Sequence, residues 1–196
     1  MGCDIHQRTW VWSKPDKKYL DIHEIDEYDS YTYKPLFTGR YYDFFGLLAG
    51  VRGNRFQIPD RYISGFGVPS FASKVFKKMY EDCPYHSGIW FYPKNLDDAL
   101  ADRIELMEGL QTRYKNLKKK YPKNWYKHWQ DNIDCDSDEY DDPDYIWYED
   151  DDDHLLNCVR EVQEKLKPYL WSTEDFDFPI RYIDPAKTVI LFYFDS

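Results

Sequence analysis

The first residues able to do chemistry stand at the start of the chain, Met1-Gly2-Cys3-Asp4-Ile5-His6-Gln7-Arg8. Read as a strand, this stretch puts Asp4, His6 and Arg8 on one face and Cys3, Ile5, Gln7 and Thr9 on the other. A carboxylate and an imidazole two residues apart can share one divalent metal, as in many metal-dependent phosphoesterases, with zinc, manganese and magnesium as candidates. The spacing alone is a weak signal. Asp-x-His recurs at Asp21-Ile22-His23, and an edge strand with solvated polar residues reads the same way. Cys3, on the opposite face, reads as a buried thiol.

A second group is Arg40, Arg52, Arg55 and Arg61, in a stretch that holds six of the nine glycines between Gly39 and Gly67 and has only Asp43 and Asp60 as acids between Thr38 and Tyr62. Glycines let a backbone approach a ligand closely, and arginines grip phosphate or carboxylate in a two-pronged geometry. Arg40 and Arg52 are therefore candidate anion-binding residues, with Tyr41 and Trp90 as candidates to stack on a base. The competing reading pairs these arginines with carboxylates elsewhere. No phosphate-loop or dinucleotide fingerprint is present. His86, in Tyr85-His86-Ser87-Gly88-Ile89-Trp90, lies at a helix-to-strand junction, where it suits a ligand and a turn-capping role equally. With Asp4 and His6 it completes a candidate metal set. His128, among Trp125, Tyr126 and Trp129, reads as packing, and His154 as a solvated residue at a helix start.

Elements able to position these groups follow from periodicity. Residues 3–12 and 18–25 form an N-terminal hairpin about the turn Lys14-Pro15-Asp16-Lys17. Tyr41 to Val51 has helical spacing, as does Ser70 to Asp82, with Ser70 as cap and Phe71, Val75, Met79 and Tyr80 on one face. Gly88 to Tyr92 is a short strand. Asn95 caps a long helix ended by Pro122, with the stripe Leu96, Leu100, Ile104, Met107, Leu110, Tyr114 and Leu117. A second stripe, Leu155, Val159, Val162, Leu166 and Tyr169, pairs with it antiparallel. The chain closes on a hairpin, Pro179 to Asp184 and Thr188 to Phe194, about Asp184-Pro185-Ala186-Lys187. Its last strand is apolar on both faces and so belongs in the middle of the sheet. The expected fold is α+β: a mostly antiparallel sheet formed from N- and C-terminal hairpins and packed with helices. Residues 1–196 form one such domain, with a helical-hairpin excursion over 95–170.

Composition bounds the function. The 196 residues include 26 Lys+Arg and 36 Asp+Glu, a formal net charge of −10, with 42% hydrophobic and 19% aromatic residues. That apolar content excludes a wholly disordered chain, and no run reaches the roughly 20 apolar residues of a membrane span. The acidity is local. Asp131 to Asp153 holds 13 acids and no Lys or Arg, so the rest of the chain carries 26 basic and 23 acidic residues. The segment reads first as a solvated loop within the excursion; calcium chelation, nucleic-acid mimicry and docking on a basic partner are its functional alternatives. Four widely spaced cysteines without a Cys-x-x-Cys pair point to free thiols in a reducing compartment. Position 6 is His where a myristoylation signal needs Ser or Thr, and no basic-then-apolar leader is present, so an unmodified, cytoplasmic protein is expected.

Several blocks together carry a resemblance: the opening Met1-Gly2-Cys3-Asp4-Ile5-His6, Gly39-Arg40-Tyr41-Tyr42-Asp43-Phe44-Phe45 through Leu48-Ala49-Gly50-Val51-Arg52, His86-Ser87-x-x-Trp90, and the closing Leu191-Phe192-Tyr193-Phe194-Asp195. The chain resembles a largely uncharacterised family of small bacteriophage and prophage proteins that open with this hexapeptide. Residues of about 113–172 fall outside the blocks. The resemblance implies expression in the cytoplasm of a bacterial host. The blocks also contain Asp4, His6, Arg40, Arg52 and His86, which, if brought together, suit a phosphorylated small molecule. The leading expectation is a protein that sequesters or hydrolyses a phosphorylated, nucleotide-like ligand in counter-defence, without direct nucleic-acid or membrane binding. The lack of a second carboxylate-rich motif favours binding over turnover and leaves the enzyme question open. The alternative is a non-enzymatic interaction protein, or nucleic-acid mimic, acting on a host protein through residues 131–153.

Overall fold

The computed structural model describes residues 5–22, 36, 42–49, 56–83, 85–123, 149–170 and 183–195. Among the described residues five strands form one antiparallel sheet: β1 (Ile5–Ser13), β2 (Lys18–Asp21), β3 (Gly65–Phe66), β4 (His86–Phe91) and β5 (Ile183–Phe194), in the order β2-β1-β5-β4-β3. The helices are α1 (Tyr42–Ala49), α2 (Lys74–Asp82), α3 (Pro93–Lys120) and α4 (Glu149–Leu170). The protein is α+β. Among the described residues no helix is long and apolar enough to cross a membrane.

Strand alternation sorts the sheet's side chains between two cores. Ile5, Ile89, Phe91, Ile190, Phe192 and Phe194 face α1, α3 and α4 in the larger core, while Trp10, Val189, Leu191 and Tyr193 face Ala72 and Phe76 beside and on α2. β5 is fully buried on both faces along Val189–Phe192, as its apolar run requires of a central strand, and burying each such side chain contributes roughly 1.5–3 kcal/mol. The stripe Leu155, Val159, Val162, Leu166 and Tyr169 of α4 is buried as expected. Asp97 meets Gln163 and Glu108 meets Arg160, so α3 and α4 run antiparallel. Both helices belong to the larger core with the sheet, so α3 and α4 cover the sheet. The Tyr169 hydroxyl shares a hydrogen bond with the Thr9 side chain, and burial pushes its pKa well above the ordinary tyrosine value. Of the acidic segment, residues 131–148 lie outside the described residues. Glu149–Asp153 have helical backbone at the start of α4, where negative charge opposes the helix dipole favourably.

Three local expectations are corrected. Ser73, not Ser70, caps α2, its Oγ accepting the Phe76 N–H at 3.1 Å. The buried residue is accordingly Phe76, and Val75 is 77% exposed. α3 starts at Pro93 with Tyr92 as its cap, since proline's fixed φ and missing N–H suit a first helical position; Asn95 instead donates to the Ser64 Oγ at 3.1 Å. The segment Asp184–Lys187 is not a hairpin turn but an irregularity inside β5. The β1 pairing shifts there between Trp10↔Val189 and Trp12↔Asp184, with Asp184 Oδ1 accepting the Ala186 N–H and Thr188 Oγ1 donating to the Asp184 carbonyl.

Candidate functional site

β1 forms as a strand because its even and odd positions have different neighbours. Ile5 enters the larger core, Thr9 meets Tyr169, and Gln7 accepts the Leu36 N–H at 2.7 Å through its Oε1. The opposite row, His6, Arg8 and Trp10, therefore faces α2, as alternation predicts. Trp10 packs edge-on against Phe76 at 5.3 Å. Arg8 lies 5.0 Å above the same Phe76 ring and donates through Nε to Asp21 Oδ2 at 2.8 Å, which ties β1 to the end of β2.

His6 is the first described residue of this row. β5 runs antiparallel to β1, so His6 stands level with Tyr193, and the next residue but one, Asp195, reaches back to it. The His6 Nε2 and Asp195 Oδ2 are 3.1 Å apart, with side chains 32% and 30% exposed. Tyr193 stacks on the imidazole at 5.1 Å, and Tyr85 meets it edge-on at 5.2 Å. Asp195 thus holds one ring nitrogen while two aromatic rings fix the ring plane. This arrangement sets a histidine for proton transfer or for binding a polar group.

The surrounding hydroxyls are held neutral. Burial, and after it the neighbouring Tyr85, Asp21 and Cys83, pushes Tyr193 up to about 12 against the opposing pull of Arg8. Tyr85 is raised by burial first, then by Cys83, Asp195 and its hydrogen bond with Cys83. Tyr80 is raised by burial, opposed by the Gly88 N–H, which donates to its hydroxyl at 3.2 Å. That contact explains Gly88, since a Cβ there would lie 2.8 Å from the Tyr80 oxygen. Just before it, Ser87 adopts φ +52°, and the β4–β5 ladder shifts between His86 and Ile89. A left-handed serine stores local strain, and such strain collects at binding sites.

The expected site residues divide as follows. His6 lies in the cluster. His86 stands on β4 level with Phe194, on the other side of β5 from His6; its side chain is outside the described set. Trp90 lies on the α2 side but further down β4, opposite Gly65 and Leu191. A Cβ on Gly65 would come within 2.3 Å of the Trp90 ring, so the indole fills the space above the β3 glycine. Asp4, Arg40, Tyr41 and Arg52 lie outside the described residues. The helix between the two arginines, α1, does reach this end of the sheet, where Phe45 meets Phe194 at 4.1 Å. Among the described residues no group of three or more His, Cys, Asp or Glu could hold a metal ion. Of the expected metal set only the His6 side chain is described, and its Nε2 faces Asp195. A carboxylate behind an imidazole is the usual support of a metal-bound histidine, so the pair fits a ligand role without requiring it.

Arg61, the remaining described arginine of the glycine-rich stretch, is exposed over Tyr62 and paired with Asp102 at 3.4 Å, which answers to the ion-pair reading. Sequence reasoning missed Asp195, Tyr85, Tyr193 and the Arg8–Asp21 pair. A usable signal existed for Asp195 and Tyr193: laying β1 and β5 antiparallel brings 193–195 opposite His6. Cys83 and Cys158 are free thiols, and burial pushes Cys158 up to about 12. No family model, curated protein or solved structure matches the chain.

Proposed function

We propose that this protein is a phage-type binder of a small phosphorylated, nucleotide-like molecule, acting in the cytoplasm of a bacterial host as a counter-defence protein. The observation that carries the reading is the His6–Asp195 pair, one-third exposed near the start of β1 and framed by the Tyr85 and Tyr193 rings. Asp195 would accept a sugar hydroxyl or base N–H, His6 would donate to or take a proton from the bound group, and phosphate would fall to Arg40 and Arg52. Trp90 and Tyr41 remain the proposed stacking residues. Binding is the primary role. Should turnover occur with a zinc, manganese or magnesium ion, Asp4, His6 and His86 would hold it and it would supply the Lewis acid; without a metal, His6 oriented by Asp195 is the group to accept a proton from water.

The test is a thermal-shift screen against nucleotides, cyclic dinucleotides and divalent metals, in which a ligand of the folded state raises the melting temperature by mass action. One class should raise it, and His6→Asn, Asp195→Asn and Arg52→Ala should abolish the rise while deletion of 131–148 leaves it. If no compound shifts the transition, the proposal fails. If deletion of 131–148 rather than Arg52→Ala abolishes activity in a host, the acidic segment carries the function instead.

A further inference from the structure

The α2 side of the sheet carries a second chemical feature, at the opposite end from His6. Trp12 and Tyr19 are level partners across β1 and β2, their rings edge-on at 5.1 Å. Tyr19 stacks on Phe71 with centroids 3.7 Å apart and planes within 11°. Phe71 continues edge-on to Trp10 at 5.8 Å. Trp12, Tyr19 and Phe71 are only half-buried, so a row of aromatic surface runs from the hairpin towards the start of α2.

Cations surround this row. The irregularity inside β5 carries Lys187 out of the ladder and sets its Nζ 4.6 Å above the Trp12 ring. Bulges of this kind re-aim a side chain at functional surfaces, and the Asp184 hydrogen bonds to Ala186 and Thr188 hold this one in shape. The hairpin tip displays Lys14, Lys17 and Lys18, all exposed. It too is fixed: Ser13 Oγ donates to Asp16 at 2.7 Å, and the Lys17 N–H reaches the Ser13 carbonyl at 2.9 Å, with Lys17 at φ +51°. The two nearby acids, Asp16 and Asp184, are thus engaged in local hydrogen bonds that shape the loops bearing the lysines.

We propose that this hairpin end of the sheet binds single-stranded nucleic acid, with Trp12 and Tyr19 stacking on bases and Lys14, Lys17 and Lys187 following the phosphates. Half-buried rings beside exposed cations suit a strand that lays down successive bases, because every base has a face to stack and every phosphate a charge to neutralise. An acidic peptide would use the lysines and leave the rings idle. The excess negative charge of the chain belongs to 131–153, so the net −10 does not describe this surface. The surface is independent of the His6 site, and either can stand without the other.

The experiment measures fluorescence anisotropy of labelled 12-mers of oligo-dT and oligo-U with the full-length chain at low and moderate salt. Binding should weaken with salt, and Lys187→Ala should lower the slope of log K against log salt by about 0.7, one phosphate contact. Trp12→Ala should weaken binding about 5- to 100-fold, the worth of one stacked base. Lys14→Glu and Lys187→Glu, both at exposed positions, give the same direction of change without touching the core, and Lys115→Glu, at an exposed position on α3, should leave oligonucleotide affinity unchanged. The proposal is overturned by absent binding at low salt, by affinity that Trp12→Ala and Lys187→Glu leave intact, by a duplex bound as tightly as the single strand, or by poly-glutamate competing as well as oligo-dT.

Discussion

The row on β1 carries two side-chain pairs two residues apart, and they should behave differently when broken. Arg8 and Asp21 have side chains 18% and 6% exposed, whereas His6 and Asp195 are each about one-third exposed. Removing one member of a buried pair leaves a charge stranded, at a cost of about 3–5 kcal/mol. The partial exposure of Arg8 reduces this, so Arg8→Met should lose about 2–4 kcal/mol. The methionine keeps contact with Phe76, which confines the loss to charge and hydrogen bonding. Adding Asp21→Leu should recover much of the deficit, since two apolar side chains replace the pair without an orphan carboxylate. His6→Asn breaks a solvent-screened pair and should lose under about 1 kcal/mol. The assay is urea denaturation followed by tryptophan fluorescence, with midpoints compared at a common slope. A double-mutant cycle for Arg8 and Asp21 gives the coupling directly. If Arg8→Met lies within 1 kcal/mol of the wild type, or if His6→Asn costs as much as Arg8→Met, then the contrast between the two pairs, and with it the view that His6 is held for function rather than stability, is wrong.

Other outcomes are as definite. Gly65→Ala should destabilise by about 1–3 kcal/mol, because the new methyl meets the Trp90 ring, and Val75→Asp, on the exposed side of α2, should stay within about 0.5 kcal/mol; thermal melts of the two variants check both. Stability should fall at alkaline pH: Tyr193 is raised to about 12 when folded against about 10 when unfolded, so its contribution is complete below pH 10 and disappears as pH climbs towards 12. Tyrosinate absorbance should appear together with loss of structure, and ionisation of all tyrosines near pH 10 in a still-folded protein would contradict this. Cys158, raised to about 12 by burial, should react with a thiol reagent at pH 8 far more slowly than the same thiol in the urea-unfolded chain, because little of it is thiolate, and equal rates would refute this.

What could be read from the sequence followed from periodicity over long stretches. The two faces of β1, the burial of β5 and the stripe of α4 each repeat a pattern over many residues, so a single anomaly cannot shift them. The misses occurred where one residue decides. Pro69-Ser70 looked like a helix start, but Ser73 is the serine whose oxygen reaches an open N–H, and that displacement moved the buried position from Val75 to Phe76. Asp184-Pro185 resembles a turn because the same residues that close hairpins also shape a bulge. The candidate site was half legible: alternation placed His6 and Arg8 together, but their partners Asp195 and Asp21 are set by strand pairing, which one strand's sequence does not contain. The contact of Trp90 with Gly65 likewise comes from the pairing of β3 with β4, which neither strand's sequence contains.

The strand order has a consequence for how the molecule comes into being. β5 is the last described strand in the sequence, yet it lies between β1 and β4 and contributes to both cores. Until synthesis passes residue 194, the sheet exists only as two separate strand pairs, β1–β2 and β3–β4, each with an unsatisfied edge. α3 and α4 can meet earlier but have no sheet to cover. Closing the fold therefore joins residues nearly the full described length apart, such as Ile5 with Phe194, and contacts so distant in sequence slow folding. Until residue 194 is made, the nascent chain must carry the facing edges of β1 and β4 unpaired and an α3–α4 face without its sheet, which is when a chaperone or a premature partner would find it.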